Sequence, residues 1–184
     1  MRAGFAGFSS ARLFMQKGLD NRHDGGAGDV AGAQVTGVYR VTAGDGRSTE
    51  ELVEAGKYGY AHSCATSENF PARQLARRPV REIVLLEFDR DVTSVEAIAE
   101  AGRHGLEQPM YEDALYFGAE HPDVQRERPV VFLHDPWVGY FGRRDVLCLW
   151  SNAGRRELGL EGFDDPWTPN YRLAFVRAAE SGRH

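Results

Sequence analysis

Two stretches of the chain bring side chains of nucleophilic or proton-transferring type together. His62-Ser63-Cys64 places an imidazole two residues from a thiol. A nucleophilic cysteine needs its thiolate stabilised by a base positioned in space, which adjacency alone does not provide. His104, His121 and His134 are the distant candidates for that base. Leu133-His134-Asp135-Pro136-Trp137 leaves an apolar run and enters a loop. There the carboxylate can orient the imidazole for acid–base work, or it can close an Asx-type turn before the proline. Cys64, His134 and Asp135 are therefore the catalytic candidates, and a small cysteine- or histidine-dependent hydrolase or transferase is one reading of the chain.

The other reading comes from the aromatic residues. Trp137, Trp150 and Trp167 are the only tryptophans, and Phe132, Tyr140, Phe141, Phe163, Tyr171 and Phe175 lie beside them. Rings on strands are expected to fill the core. Trp137, Tyr140, Phe141 and Trp167 instead fall in expected loops rich in Pro, Gly and Asp, where rings serve recognition of a ligand or partner, or plug the open end of a sheet. Arg143, Arg144, Arg155 and Arg156 stand nearby for anionic groups of a partner.

Other patterns exclude more than they assign. The 184 residues carry a formal net charge of −5, which argues against a broad nucleic-acid-binding surface. Hydrophobic residues at 42% and charged residues at 27% fit a globular domain. Lys17 and Lys57 are the only lysines, a bias that GC-rich codons account for. Cys64 and Cys148 make neither a disulfide framework nor a four-ligand zinc site, and they fit a reducing cytoplasm. Asp20 to Ala31 begins like a calcium loop, but Arg22 and Ala31 occupy ligand positions. Gly26 to Gly32 echoes a dinucleotide fingerprint with wrong spacing and no preceding strand. No metal, cofactor, membrane span or nucleic-acid partner is expected.

The elements that must position these residues read as follows. Residues 1–37 form a poorly specified N-terminal segment ending in a glycine-rich linker, with a short helix preferred over a targeting peptide for its amphipathic start. Residues 38–178 form one α+β domain, and 179–184 a tail. Val38–Val41 is a short strand. Ser48 and Thr93 each open a helix through a capping box, with Glu51 and Glu96 as reciprocal partners. The first helix turns Leu52 and Val53 inward and ends near Gly56. The second carries Val95, Ile98 and Ala99, and a third runs from Met110 to about Glu120. Glu82–Phe88 is a nearly continuous apolar strand, buried on both faces. Val130–Leu133, Asp145–Trp150, Glu157–Leu160 and Tyr171–Val176 complete a mainly antiparallel sheet on which two to three helices pack. Ser151-Asn152-Ala153-Gly154 is the expected hairpin turn.

Residues 48–177 resemble a group of short bacterial proteins of unknown function, on Glu50-Glu51-Leu52-Val53-Glu54-Ala55-Gly56-Lys57-Tyr58, Asn69-Phe70-Pro71, His121 to Arg126, and Trp167 with Tyr171 to Arg177. A fainter similarity, on Gly105-Leu106 and Glu112-Asp113-Ala114, is to the C-type-lectin-like fold of sulfatase-modifying-type and retroelement-diversified variable proteins. That likeness implies a strand and two helices followed by a looped antiparallel sheet. The expected function is a binding or interaction module for a protein or small polar ligand, with Trp137, Tyr140, Phe141, Trp167, Arg143 and Arg144 at its contact surface.

Overall fold

A computed structural model describes residues 32–77 and 79–177, all within a compact unit of residues 31–184. The amphipathic start, the calcium-loop-like run, nearly all of the dinucleotide-like run and the tail fall outside the described residues. The first strand begins earlier than expected, inside the stretch read as linker. Strand β1 spans Gln34–Thr42, and then come α1 (Thr49–Ala55), β2 (Tyr60–Ala61), β3 (Val80–Glu87), α2 (Ser94–Arg103), β4 (Leu106–Glu107) and α3 (Tyr111–Glu120). The chain continues through α4 (Val124–Glu127), β5 (Val130–Phe132), β6 (Trp137–Val138), β7 (Arg144–Asn152), β8 (Arg155–Gly162) and β9 (Arg172–Arg177).

The strands form one sheet in the order β1-β3-β9-β5-β7-β8-β2, with β4 beside β9 and β6 beside β7. Pairing is antiparallel except for β5 with β9 and β2 with β8. The fold is thus mixed α+β around a large, mainly antiparallel sheet. The last strand inserts between β3 and β5, a placement that short connections do not reveal.

The expected hairpin joins β7 to β8 with Ala153 and Gly154 both in the left-handed region, at φ 48° and 79°. This two-residue geometry matches the right-handed strand twist. Both capping boxes form: Ser48 accepts from the Glu51 amide and Thr93 from the Glu96 amide. Gly56 closes α1, but with helical φ, and the left-handed residue is Lys57. A side chain at position 56 would run into the Tyr58 ring, so close approach is what requires glycine there.

Alternation along the strands explains the two buried layers. Ile83, Leu85, Val130, Phe132, Leu147, Leu149, Ala174 and Val176 join Leu52 and the α3 residues Ala114 to Phe117 in one core. The intervening Val84, Leu86, Val131, Val146, Leu173 and Phe175 point to the opposite face and are equally buried. Helix α2 departs from expectation: Val95 is 71% exposed and Ala99 is also exposed, whereas Ser94, Ala97 and Ala101 are buried. Small side chains let that helix approach closely, and the Ser94 hydroxyl donates to the Phe163 carbonyl at 2.6 Å.

Buried charges are tied to specific partners, as low-dielectric surroundings require. Arg81 grips Asp113 through two bonds of 2.6 and 2.9 Å. Burial raises the Asp113 carboxyl and the Arg81 guanidinium opposes that rise. Arg156 donates to the Gly56 and Gly118 carbonyls and to Gln125 Oε1. It thereby satisfies carbonyls at the ends of two helices while stacking 4.9 Å over the Tyr58 ring.

Candidate functional site

The β6–β7 connection carries the most exposed rings. Gly139 N–H donates to the Arg143 carbonyl at 2.9 Å, and Gly142 N–H to the Gly139 carbonyl at 3.0 Å. Gly142 has φ 73°. These bonds define a turn whose two central positions are Tyr140 and Phe141, followed by a left-handed glycine that restores the strand register. Central turn positions ordinarily hold Asn, Asp, Pro, Ser or Gly. Here they hold rings that are 90% and 100% exposed, with Val138 exposed on the ascending arm.

The base of this hairpin is fixed. Trp137 is half-buried, packs against the first core and sits 5.8 Å from the Phe70 ring. Arg144 Nε donates to Asp164 at 3.0 Å, and its guanidinium lies over the Phe163 ring at 5.0 Å. Arg143 Nε meets Asp145 at 2.8 Å. Burial pushes the Asp145 carboxyl up, with Arg143 and His62 opposing. His62 is held below the ordinary histidine value by burial, while Asp145 pulls in the other direction.

The remaining predicted site residues separate. Trp167 is 1% exposed, its indole N–H donating to Ser94 Oγ at 2.8 Å, so it is an interior anchor and no part of an exposed ring surface. The apolar ring faces inward because Val92 and Trp167 form a backbone bridge that turns the segment onto the sheet. Arg156 is buried in its carbonyl cage and is an internal tie instead of an open anion site, whereas Arg143 and Arg144 are exposed and each pairs with a carboxylate. Arg155 donates to the Gly59 carbonyl.

His134 is also interior. Its Nε2 accepts from the Leu147 amide at 3.0 Å, and its Nδ1 meets the Asp135 backbone carbonyl at 2.7 Å. Phe70 and Tyr111 present their rings at 6.1 and 6.0 Å. The partner from Asp135 is thus the backbone carbonyl and not the carboxylate, so of the two readings the one with the carboxylate orienting the imidazole does not form. Burial brings the His134 pKa down to about 4, so the ring is neutral with Nδ1 as the donor. Around Cys64, the His62 Nδ1 accepts from the Cys64 amide at 3.2 Å, so that ring nitrogen is engaged by the backbone.

Sequence reasoning missed β6 and with it Val138. The available signal was Gly139-Tyr140-Phe141-Gly142, a glycine-flanked pair between two short apolar runs. It also missed Asp145 and Asp164, which neutralise the two arginines. Among the described residues no group of three or more His, Cys, Asp or Glu is placed to hold a metal, and no helix is long and apolar enough to cross a membrane. No protein-family model, curated protein or solved structure matches the chain, so these comparisons assign it neither a family nor an activity.

Proposed function

We propose that the chain is a binding module that engages a partner protein or small polar ligand through the β6–β7 hairpin, with Tyr140 and Phe141 as the contact side chains. The carrying observation is that both rings occupy the central positions of a bonded tight turn and stay almost wholly exposed. Nothing in the packing needs large apolar groups there, and exposing them to water is unfavourable. The two backbone hydrogen bonds that close the turn reduce the backbone ordering entropy left to lose on binding. The net charge of −5 and the internal pairing of Arg143 and Arg144 support a protein or neutral polar ligand over a nucleic acid. Among the described residues Cys64 and Cys148 are not joined in a disulfide, which supports a cytoplasmic setting. Two helices, α2 and α3, followed by a looped run of mainly antiparallel strands, support placing the fold beside C-type-lectin-like proteins.

The test is the double substitution Tyr140→Ala/Phe141→Ala. Its unfolding free energy stays within about 0.5 kcal/mol of wild type, while binding partners retained by the wild-type chain in affinity capture are lost. Equal retention by both chains overturns the proposal.

A second reading, a small hydrolase or transferase, keeps one supporting observation. With Nδ1 of His62 occupied by the Cys64 amide, Nε2 has no partner among the described residues and lies in the field of Asp145. Iodoacetamide alkylation of Cys64 well below pH 8 would favour it, and ordinary thiol reactivity would count against it.

A further inference from the structure

Three positions on one face of the sheet meet at the root of the hairpin. Trp137 stands opposite Asp145 across β6 and β7, and Asp145 stands opposite Gly162 across β7 and β8. Gly162 has no side chain, and the space one would fill is taken by the Asp165 carboxylate and the Arg143 guanidinium. Strand β2 runs parallel to β8 and pairs Ala61 with Leu158, so the chain after Ala61 heads toward the Gly162 end of β8. The His62 amide donates to the Leu158 carbonyl at 2.9 Å. The turn that follows is tied by the Ala65 amide on the His62 carbonyl at 2.9 Å and by Asn69 Nδ2 on the Cys64 carbonyl at 3.0 Å. His62 is thereby held in the field of Asp145 and Arg143.

Two polar atoms of this group are left over. Because His62 Nδ1 accepts from the Cys64 amide, the proton of the neutral ring is on Nε2. Burial keeps that ring neutral at pH 7. Asp145, 8% exposed, gives Oδ1 to Arg143 Nε at 2.8 Å. No hydrogen bond among the described residues uses His62 Nε2 or Asp145 Oδ2. The imidazole and the carboxylate act on each other through charge without a direct bond, which is the separation that a bridging group spans.

We infer that His62 Nε2 and Asp145 Oδ2 together take a neutral planar amide, a carboxamide or a peptide group, with its C=O on the imidazole N–H, its N–H on the carboxylate and its plane against the half-buried Trp137 ring. An amide carries one acceptor and one donor side by side, the complement of the pair left unused here. Both protein groups are partly withdrawn from water, so leaving them unmatched is costly and a matched ligand gains accordingly. A free anion is opposed by Asp145 and Asp165, and a cation meets the Arg143 guanidinium already in place. Backbone bonds fix the His62 turn and strand pairing fixes Trp137 and Asp145, so the ligand has little of the site to order.

This inference rests on the hairpin being a contact surface, and it names the chemistry taken up at its root. Titration of the full chain at about pH 7.5 with benzamide, benzoate and benzylamine tests it, since the same ring then carries a neutral amide, an anion or a cation. The Trp137 indole and the His62 ring are followed by NMR. The expected result is a saturable shift of both signals with benzamide alone, at a Kd of about 1–10 mM. His62→Phe and Asp145→Ala, each removing one of the two bonds, weaken it at least about tenfold. Indole signals of Trp150 and Trp167 at their wild-type positions identify a folded variant, and the comparison among the three probes needs no variant. The inference is overturned if benzamide moves neither signal, if benzoate or benzylamine moves them as much, or if both folded variants bind as the wild type does. Should benzamide fail while Tyr140→Ala/Phe141→Ala still loses a partner, the amide assignment falls and the hairpin reading survives. Should benzamide bind as expected while that double variant keeps every partner, the hairpin reading falls and the amide site stands.

Discussion

Replacing Ser94 with alanine removes one oxygen and disturbs two buried groups. The Ser94 hydroxyl, 2% exposed, donates to the Phe163 carbonyl at 2.6 Å and accepts from the Trp167 indole at 2.8 Å. Both groups lie where water has little access, since Phe163 is 8% and Trp167 1% exposed. A buried donor or acceptor left without its partner costs ~1–3 kcal/mol. With two such groups, Ser94→Ala is expected to destabilise the fold by about 2–4 kcal/mol, a large share of a typical 5–15 kcal/mol total. Trp167→Phe keeps a ring but removes the N–H. In that background Ser94→Ala strands only the Phe163 carbonyl, so a double-mutant cycle should give a coupling of about 1 kcal/mol. Urea denaturation measures all four proteins, and the midpoint should fall at unchanged slope. A Ser94→Ala chain within about 0.5 kcal/mol of wild type, or strict additivity in the cycle, refutes the assignment of Trp167 to the interior.

Three further outcomes follow from the same geometry. Gly118→Ala puts a methyl group into the Tyr58 hydroxyl, so overpacking of ~1–3 kcal/mol outweighs the ~1 kcal/mol gain in helix propensity, and thermal unfolding should shift downward. His134, with a folded pKa of about 4 against an ordinary 6.5, binds its proton more readily when unfolded. Its contribution is complete above the unfolded value and is lost as pH falls from about 6.5 to about 4, up to ~3 kcal/mol. His134→Gln should remove that part of the pH dependence in denaturation curves recorded across this window. Alanine at positions 140 and 141 should leave unfolding unchanged, in contrast to Ser94→Ala.

Local signals in the sequence translated well where a short stretch determines its own geometry. Ser48 and Thr93 start helices because each side chain meets a backbone amide three residues on. Ala153-Gly154 turns because two left-handed residues suit the strand twist. The apolar run at β3 is buried on both faces because its alternate residues face two different layers. Long-range placement was not legible. Nothing local tells β9 to insert between β3 and β5, and a strand as short as β6 has too few residues to show a period. The α2 face was misread because hydrophobicity favours Val95 and Ala99, whereas close packing chose Ser94, Ala97 and Ala101. The site was half visible: Tyr140 and Phe141 stood out as rings in an expected loop rich in Pro, Gly and Asp, but Trp167 stood out in the same way and is held inward by Ser94. Likewise, the arginines looked available until their carboxylate and carbonyl partners, distant in sequence, were seen.

The most direct measurement places a trifluoromethyl-phenylalanine at position 141 and, as a control, at the exposed Val80. Fluorine NMR should show a sharp, solvent-like signal for both in dilute buffer. On adding cell extract, the signal at 141 should shift and broaden while that at 80 does not. If the label at 141 is already shielded in dilute buffer, or if both labels respond alike, the hairpin is not a contact surface.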